Sequence, residues 1–259
     1  MQASRPRRTS QPDVPWQTIC WLGAAAGAWW FVQPGSPIPL VWTGFLAPLW
    51  ICLLIRASVR AHSPLFLFLL CWICFTVTWS ISLSWVRHVS VAGWLPLAAY
   101  SASYAALLAL LMRWSLKRIR VVPISLLAGV FGLSLEYIRA EVLFDAWPFH
   151  LAGHAFWGSA VTGLAQWGGV WACSLLAFSV GGLGGAVLLR RTNRRWALES
   201  LLPATLLVLA MMLNLWPAQP VPGLVPVSIL GLQTNLPQNN KMAWTESQQA
   251  EDVAEFIAQ

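Results

Sequence analysis

Long runs of apolar residues with almost no charge, separated by short basic clusters, constrain this chain more than any other feature. Seven such runs lie at roughly 16–33, 38–55, 64–86, 91–112, 121–138, 162–189 and 200–216. Each is close to the ~17–25 residues that cross a bilayer's hydrocarbon core as a helix. Only 10% of the residues are charged and 58% are hydrophobic, whereas a soluble domain carries about a quarter charged residues. The pattern predicts an all-α polytopic membrane bundle of seven transmembrane helices over 16–216. It excludes an ordinary soluble domain, a disordered chain and a collagen-like repeat.

The basic residues fix an expected orientation. A basic tail over 1–15 carries Arg5, Arg7 and Arg8, and the loops on the same side hold Arg56, Arg60, Arg113, Lys117, Arg118, Arg120, Arg190, Arg191, Arg194 and Arg195. The opposite side holds Arg87, Arg139 and Lys241. Thirteen against three is a positive-inside bias that places the N-terminus in the cytoplasm and, after seven crossings, everything beyond Trp216 outside it. The net charge of +7 is therefore read as topological and not as a nucleic-acid footprint. A small-x-small pattern at Ala24 to Ala26 resembles a signal-cleavage site, but Trp29, Trp30 and Phe31 extend the apolar run past it, so the first run is read as an uncleaved span.

Several of the eighteen tryptophans sit near run ends (Trp16, Trp42, Trp85, Trp94, Trp114, Trp216), where amphipathic rings favour the headgroup layer. Gly23 with Gly27, and Gly181, Gly182, Gly184 and Gly185, are bare stripes expected to let helices approach closely. They are not a phosphate loop, which needs a preceding strand and a following Lys-Ser/Thr. Cys20, Cys52, Cys71, Cys74 and Cys173 all fall inside runs and read as small apolar packing residues. The CxxC of Cys71 and Cys74 has no second pair to complete a zinc site. Cys173 has only Trp171, Ala172, Ser174 and Leu175 as chain neighbours, none of which would activate a thiolate.

Between the fifth and sixth runs the polar residues of both signs gather: Glu136, Arg139, Glu141, Asp145, Trp147-Pro148, His150 and His154. Glu136 and Arg139 are three apart and share a helix face. They read either as a helix-end ion pair or as a headgroup- or substrate-facing surface. His150 and His154 have the i, i+4 spacing of a metal pair, but Pro148 and Gly153 argue against a regular helix, which favours a structural or solvent-facing pair. After the last run, prolines at 217, 220, 222 and 226 make a stiff linker over 217–226. Residues 227–233 then read as a buried strand, and Thr245 with Gln248 as the capping box of a helix. One strand and one helix cannot bury a core alone, so 227–259 is expected to be the opening of a larger α/β unit.

Two stretches together carry a family resemblance. Leu164-Ala165-Gln166-Trp167-Gly168-Gly169-Val170-Trp171-Ala172-Cys173-Ser174-Leu175-Leu176 resembles the "LA…GGV.G.S.L" segment of apolipoprotein N-acyltransferases, and Glu136-Tyr137-Ile138-Arg139 with Trp147-Pro148 is similar to that family's "E-W-L-R … F-P-W" stretch, with a different aromatic order around the proline. Gly231-Leu232-Gln233-Thr234-Asn235-Leu236-Pro237-Gln238, with Lys241 and Trp244, resembles the "VQGNIPQ..KW" opening of the family's nitrilase-like domain, although Met242 and Ala243 intervene before Trp244.

The resemblance implies acyl transfer from a phospholipid, through an enzyme thioester, to the N-terminal diacylglyceryl-cysteine of an apolipoprotein. The setting would be the outer leaflet of the bacterial cytoplasmic (inner) membrane. It implies no cofactor and no metal. The family's catalytic Glu, Lys and Cys fall at positions beyond Gln259, so no catalytic residue is assigned within the chain, and the chain by itself is expected to be inactive, as a fragment or a degenerate product. Trp244 matches a family tryptophan that handles substrate, or else lodges an aromatic ring at the membrane interface. Trp244, Glu136 and Arg139 are the candidate substrate-binding residues. The rival classes are a multi-pass transporter or channel, which would be expected to show inverted repeats or ionisable residues deep in its spans, and a non-catalytic membrane scaffold.

Overall fold

A computed structural model describes residues 15–33, 40–119, 121–143, 148–190 and 195–215, with 245–247, 250–251 and 253–254 near the C-terminus. Seven α-helices run in order among them: α1 (Pro15–Phe31), α2 (Leu40–Arg60), α3 (Pro64–Ser82), α4 (Val91–Arg118), α5 (Ile124–Tyr137), α6 (Ala165–Leu188) and α7 (Trp196–Leu215). Each coincides with one of the seven apolar runs. α3, α4, α7 and the segment Ala160–Leu188 are long and apolar enough to cross a membrane.

The two faces of α3 show how such a helix sits. Leu67, Cys71, Phe75 and Trp79 are buried, while Leu65, Leu69, Ile73, Val77 and Ile81 are exposed. Both sets recur every four residues, so one stripe faces the bundle and an equally apolar stripe faces outward. In water the second stripe would be an open hydrophobic patch; against lipid tails it is matched to its medium. α3 starts at Ser63, whose hydroxyl accepts from the Phe66 N–H at 3.1 Å, with Pro64 in the first turn where a missing N–H costs nothing.

The helices pack as pairs, α1 on α2, α3 on α4 and α5 on α6, with α2 also lying along α6. The α6 glycines permit these approaches. A Cβ on Gly181 would stand 2.5 Å from Ile51 Cβ, on Gly182 2.6 Å from Ser125 Cα, and on Gly185 2.8 Å from Ile55 Cγ2. The GxxxG of Gly23 and Gly27 behaves differently from expectation: no atom lies within 4 Å of either Cβ position, so that stripe faces away from the helix contacts.

Two ionic side chains are buried at the end of the bundle where α4 stops and α7 starts. Arg113 donates to the carbonyls of Ser58 (3.0 Å), Ala61 (2.6 Å) and His62 (3.2 Å), closing the C-terminal end of α2. Glu199 Oε2 accepts from the Ser125 N–H at 3.1 Å, where its charge meets the positive end of α5. The sequence reading placed both just outside the spans, since α4 continues past residue 112 and α7 begins before residue 200.

The linker over 217–226, the strand over 227–233 and Trp244 lie outside the described residues. Glu246, Ser247, Ala250, Glu251, Val253 and Ala254 are helical, directly after Thr245.

Candidate functional site

α5 does not end in an ordinary turn. After Tyr137 the backbone widens into a π-helical turn over Ile138–Val142, closed by the Leu143 N–H to the Ile138 carbonyl at 3.0 Å. Single π turns change which side chains face inward and recur at functional sites. Glu136, near the end of α5, and Arg139, in the π turn, both point into the bundle, where they are 9% and 3% exposed. Of the two readings of this pair, a helix-end ion pair or a headgroup- or substrate-facing surface, the burial selects neither; both side chains lie in the interior.

They are held there by a segment that folds back among the helices. Residues 148–164 form a turn and two 3₁₀ turns, Ala152–Phe156 and Ala160–Leu164, and the first rests on α6 and α2. Leu151, Ala152, Gly153, Ala155 and Phe156 are buried. Irregular backbone at this depth must have its polar groups paired within the protein. The Ala152 N–H donates to Glu136 Oε1 at 2.8 Å, the Gly153 N–H to Ser174 Oγ at 2.9 Å, and the Thr43 hydroxyl to the Ala155 carbonyl at 2.7 Å. Phe149 O accepts from Arg139 Nη1 at 2.9 Å. Gly153 is required where this plug meets α6, because a Cβ would stand 2.3 Å from the Val170 carbonyl. His150 turns the chain with φ of 60°, a left-handed conformation unusual for a residue with a side chain.

Below the plug lies a chamber of about 40 Å³, room for a few water-sized groups. Trp29, Trp50, Phe75, Trp79 and Phe178 supply aromatic walls; Ser101, Tyr104, Glu136, Arg139 and His150 supply the polar atoms. The Arg139 guanidinium sits 5.3 Å from the centre of the Trp79 ring, whose other neighbours are Trp29 at 4.5 Å and the His150 ring at 5.0 Å. Tyr104 shares a 2.7 Å hydrogen bond with Tyr100. Glu136 Oε2, Ser101 Oγ, His150 Nδ1 and Trp50 Nε1 are buried without a hydrogen bond, and all four residues line this chamber. The Ser174 hydroxyl stands close to the Glu136 carboxylate.

His150 lies outside the α-helices, and burial together with the positive charge of Arg139 and the nearby His154 pushes its pKa down to about 4. It is therefore neutral near pH 7 and offers one donor and one acceptor nitrogen. The two histidines part ways: His150 lines the chamber, while His154 is exposed on the other side of the plug and lines a second pocket. Among the described residues, no three His, Cys, Asp or Glu side chains converge on a metal position. Cys173 is buried, its thiol directed at the Val161 carbonyl at 3.9 Å.

Sequence reasoning identified Glu136, Arg139 and the histidines but not the chamber. Trp29, Trp50 and Trp79 come from three different helices, and nothing local marks them as convergent. A usable signal was the Tyr100/Tyr104 spacing, which puts two of the three tyrosines on one face of α4.

Apolar helices closed over a buried polar chamber and plugged from one end define a polytopic membrane protein with a built interior site. The chain matches the apolipoprotein N-acyltransferase N-terminal domain over residues 18–183, from α1 through most of α6, and it belongs to that family. The matched range includes Glu136, Arg139 and the whole plug. No curated protein matches the chain.

Proposed function

We propose that this chain is the membrane part of an acyltransferase that moves a fatty acyl group from a phospholipid to the N-terminal diacylglyceryl-cysteine of apolipoproteins. The observation that carries the reading is the family match, which spans the helices that build the chamber and its plug. Residues 217–259 are assigned as linker and opening of a nitrilase-like domain on the outer face of the cytoplasmic membrane. There a cysteine thiolate, a glutamate base and an oxyanion-supporting lysine would carry the thioester chemistry. None of the described residues is given a catalytic role.

In this reading Glu136 and Arg139 act on the substrate side through the plug. Glu136 fixes the Ala152 N–H and Arg139 fixes the Phe149 carbonyl, so together they set the surface that the membrane part offers to the catalytic domain. Trp244 is proposed to contact substrate. The test is a chimera in which residues 1–259 replace the membrane part and the opening of the catalytic domain of an active family member. N-acylation of a diacylglyceryl lipopeptide, followed by mass spectrometry, should persist in the chimera and fall in its Trp244→Ala and Glu136→Ala variants. A chimera that inserts normally and never acylates would remove the reading.

A further inference from the structure

Buried polar atoms without a partner are concentrated in one place. Among the described residues, eight side-chain nitrogen or oxygen atoms are buried with no hydrogen bond. Thr18, Ser82, Ser115 and Ser125 contribute hydroxyls scattered over α1, α3, α4 and α5, whereas Trp50 Nε1, Ser101 Oγ, Glu136 Oε2 and His150 Nδ1 all belong to residues that line the aromatic chamber. These four come from α2, α4, α5 and the plug, so four separate elements supply unsatisfied groups around a space of about 40 Å³. Inside a bilayer such groups cannot turn to bulk water, and each has to be met from within the protein.

Together the four atoms select the chemistry of what meets them. The Trp50 indole can only donate, so an occupant must accept; an ionised Glu136 Oε2 can only accept, so the occupant must also donate. Ser101 Oγ does either, and His150 Nδ1 is a donor in one tautomer and an acceptor in the other. An anion would accept from Trp50 but confront the Glu136 carboxylate. A cation would suit Glu136 but could not accept from the indole, and it would share the interior with the Arg139 guanidinium, set 5.3 Å from the centre of the Trp79 ring. An apolar group would leave all four atoms unmet.

Size narrows the choice further. The chamber is far below the roughly 300–1,000 Å³ of a site for a drug-sized ligand. One water needs about 10–15 Å³ of such volume, so roughly two or three fit. A water both donates and accepts, carries no net charge and makes two to four hydrogen bonds at a buried polar site. A small cluster can therefore serve the indole, the hydroxyl, the carboxylate and the imidazole at once and still bond internally.

We propose that the chamber is a hydration site, where a cluster of about two or three water molecules bridges Trp50, Ser101, Glu136 and His150 and so joins the plug to α2, α4 and α5. Glu136 then holds the plug twice, through Oε1 to the Ala152 N–H and through Oε2 to the water that reaches His150. The site is independent of the acyl-transfer reading and stands whatever reaction the protein serves.

The experiment uses the full chain in lipid nanodiscs and X-ray hydroxyl-radical footprinting in heavy-oxygen water, which labels side chains lying next to bound water. Trp50 and Trp79, 5% and 3% exposed, should take the label several-fold faster than Met112, which is 0% exposed, lies outside the chamber lining and carries a more readily oxidised thioether. Labelling of both tryptophans at or below the Met112 rate would mean a dry chamber and overturn the proposal. Ser101→Leu, which occupies the chamber and removes one polar partner, should lower the Trp50 and Trp79 rates several-fold while the exposed Trp157 and Trp167 keep theirs. Unchanged rates at all four would mean that the radicals arrive from bulk solvent, and would also overturn it. Should Ser101→Leu fail to insert, Ala105→Leu fills the same chamber from the next turn of α4, and the wild-type comparison with Met112 decides without either variant. An ion in place of water is tested by melting in sodium, potassium, ammonium and choline chloride at equal ionic strength. The same melting temperature is expected in all four; a rise with one small cation that disappears in Glu136→Gln would put an ion beside the carboxylate and refute the proposal.

Discussion

The Glu136 carboxylate accepts a hydrogen bond from the Ala152 N–H at 2.8 Å, joining the end of α5 to a plug sixteen residues further along the chain. A buried backbone N–H inside a membrane protein has no water to fall back on, so this bond specifies where the plug sits.

Replacing Glu136 by Ala leaves the Ala152 N–H unpaired and removes the negative charge facing Arg139. The cost expected from the unsatisfied donor alone is about 1–3 kcal/mol. Glu136→Gln keeps an acceptor of nearly the same shape and should lose less. Thermal unfolding in detergent should rank the proteins wild type, Gln, Ala; an Ala variant as stable as wild type would show that the plug is held by other contacts.

The two glycine stripes make opposite predictions. Gly182→Ala puts a methyl 2.6 Å from Ser125 Cα and 2.8 Å from the Ile124 carbonyl, both backbone atoms that cannot swing away. Overpacking of this kind costs roughly 1–3 kcal/mol. Gly23→Ala meets nothing within 4 Å and, having higher helix propensity, should be neutral or slightly stabilising. Comparable losses for both would contradict the observed α5–α6 contact.

Glu199→Ala removes the acceptor of the Ser125 N–H and the negative charge at the start of α5. A loss of about 1 kcal/mol is expected from a cap of this kind. Hydrogen exchange should localise the change to the first turn of α5, and a uniform change across the bundle would argue against a capping role.

His150 gives a pH dependence with a defined sign. Its pKa of about 4 in the folded protein is below the ordinary value near 6.5, so between those values the unfolded chain binds more protons. Stability from keeping the imidazole neutral is fully present above about pH 6.5 and is lost as pH falls toward 4. His154, its pKa lowered by partial desolvation of its imidazole and by Arg139, acts in the same direction. The melting temperature should drop between pH 7 and pH 5, and drop less in His150→Gln. Parallel profiles would place His150 in a solvated position.

The positions of the helices were legible because lipid imposes a simple rule: a spanning helix shows as an uncharged run of defined length, and the seven runs became seven helices, four of which are, among the described residues, long and apolar enough to cross a membrane. Partnerships between distant residues were not legible in the same way. Trp79 is one apolar residue among many in its run, and only packing shows that its ring lies beside Arg139 and His150. Glu136 and Arg139 stood out by their charge, but local spacing implied a helical turn shared at a boundary. Only the tertiary fold shows that the face they share looks inward and that the plug bonds to both. Gly23 and Gly27 illustrate the converse, a motif with sound local logic whose face meets no partner.

In the proposed topology this family membrane part crosses the membrane seven times and its C-terminal segment lies on the outer face. That topology is tested most directly by a tandem alkaline phosphatase and green fluorescent protein reporter fused after Gln259 in a bacterial host. The account predicts high phosphatase activity with little fluorescence. Bright fluorescence with no phosphatase activity would put the C-terminus in the cytoplasm and contradict it.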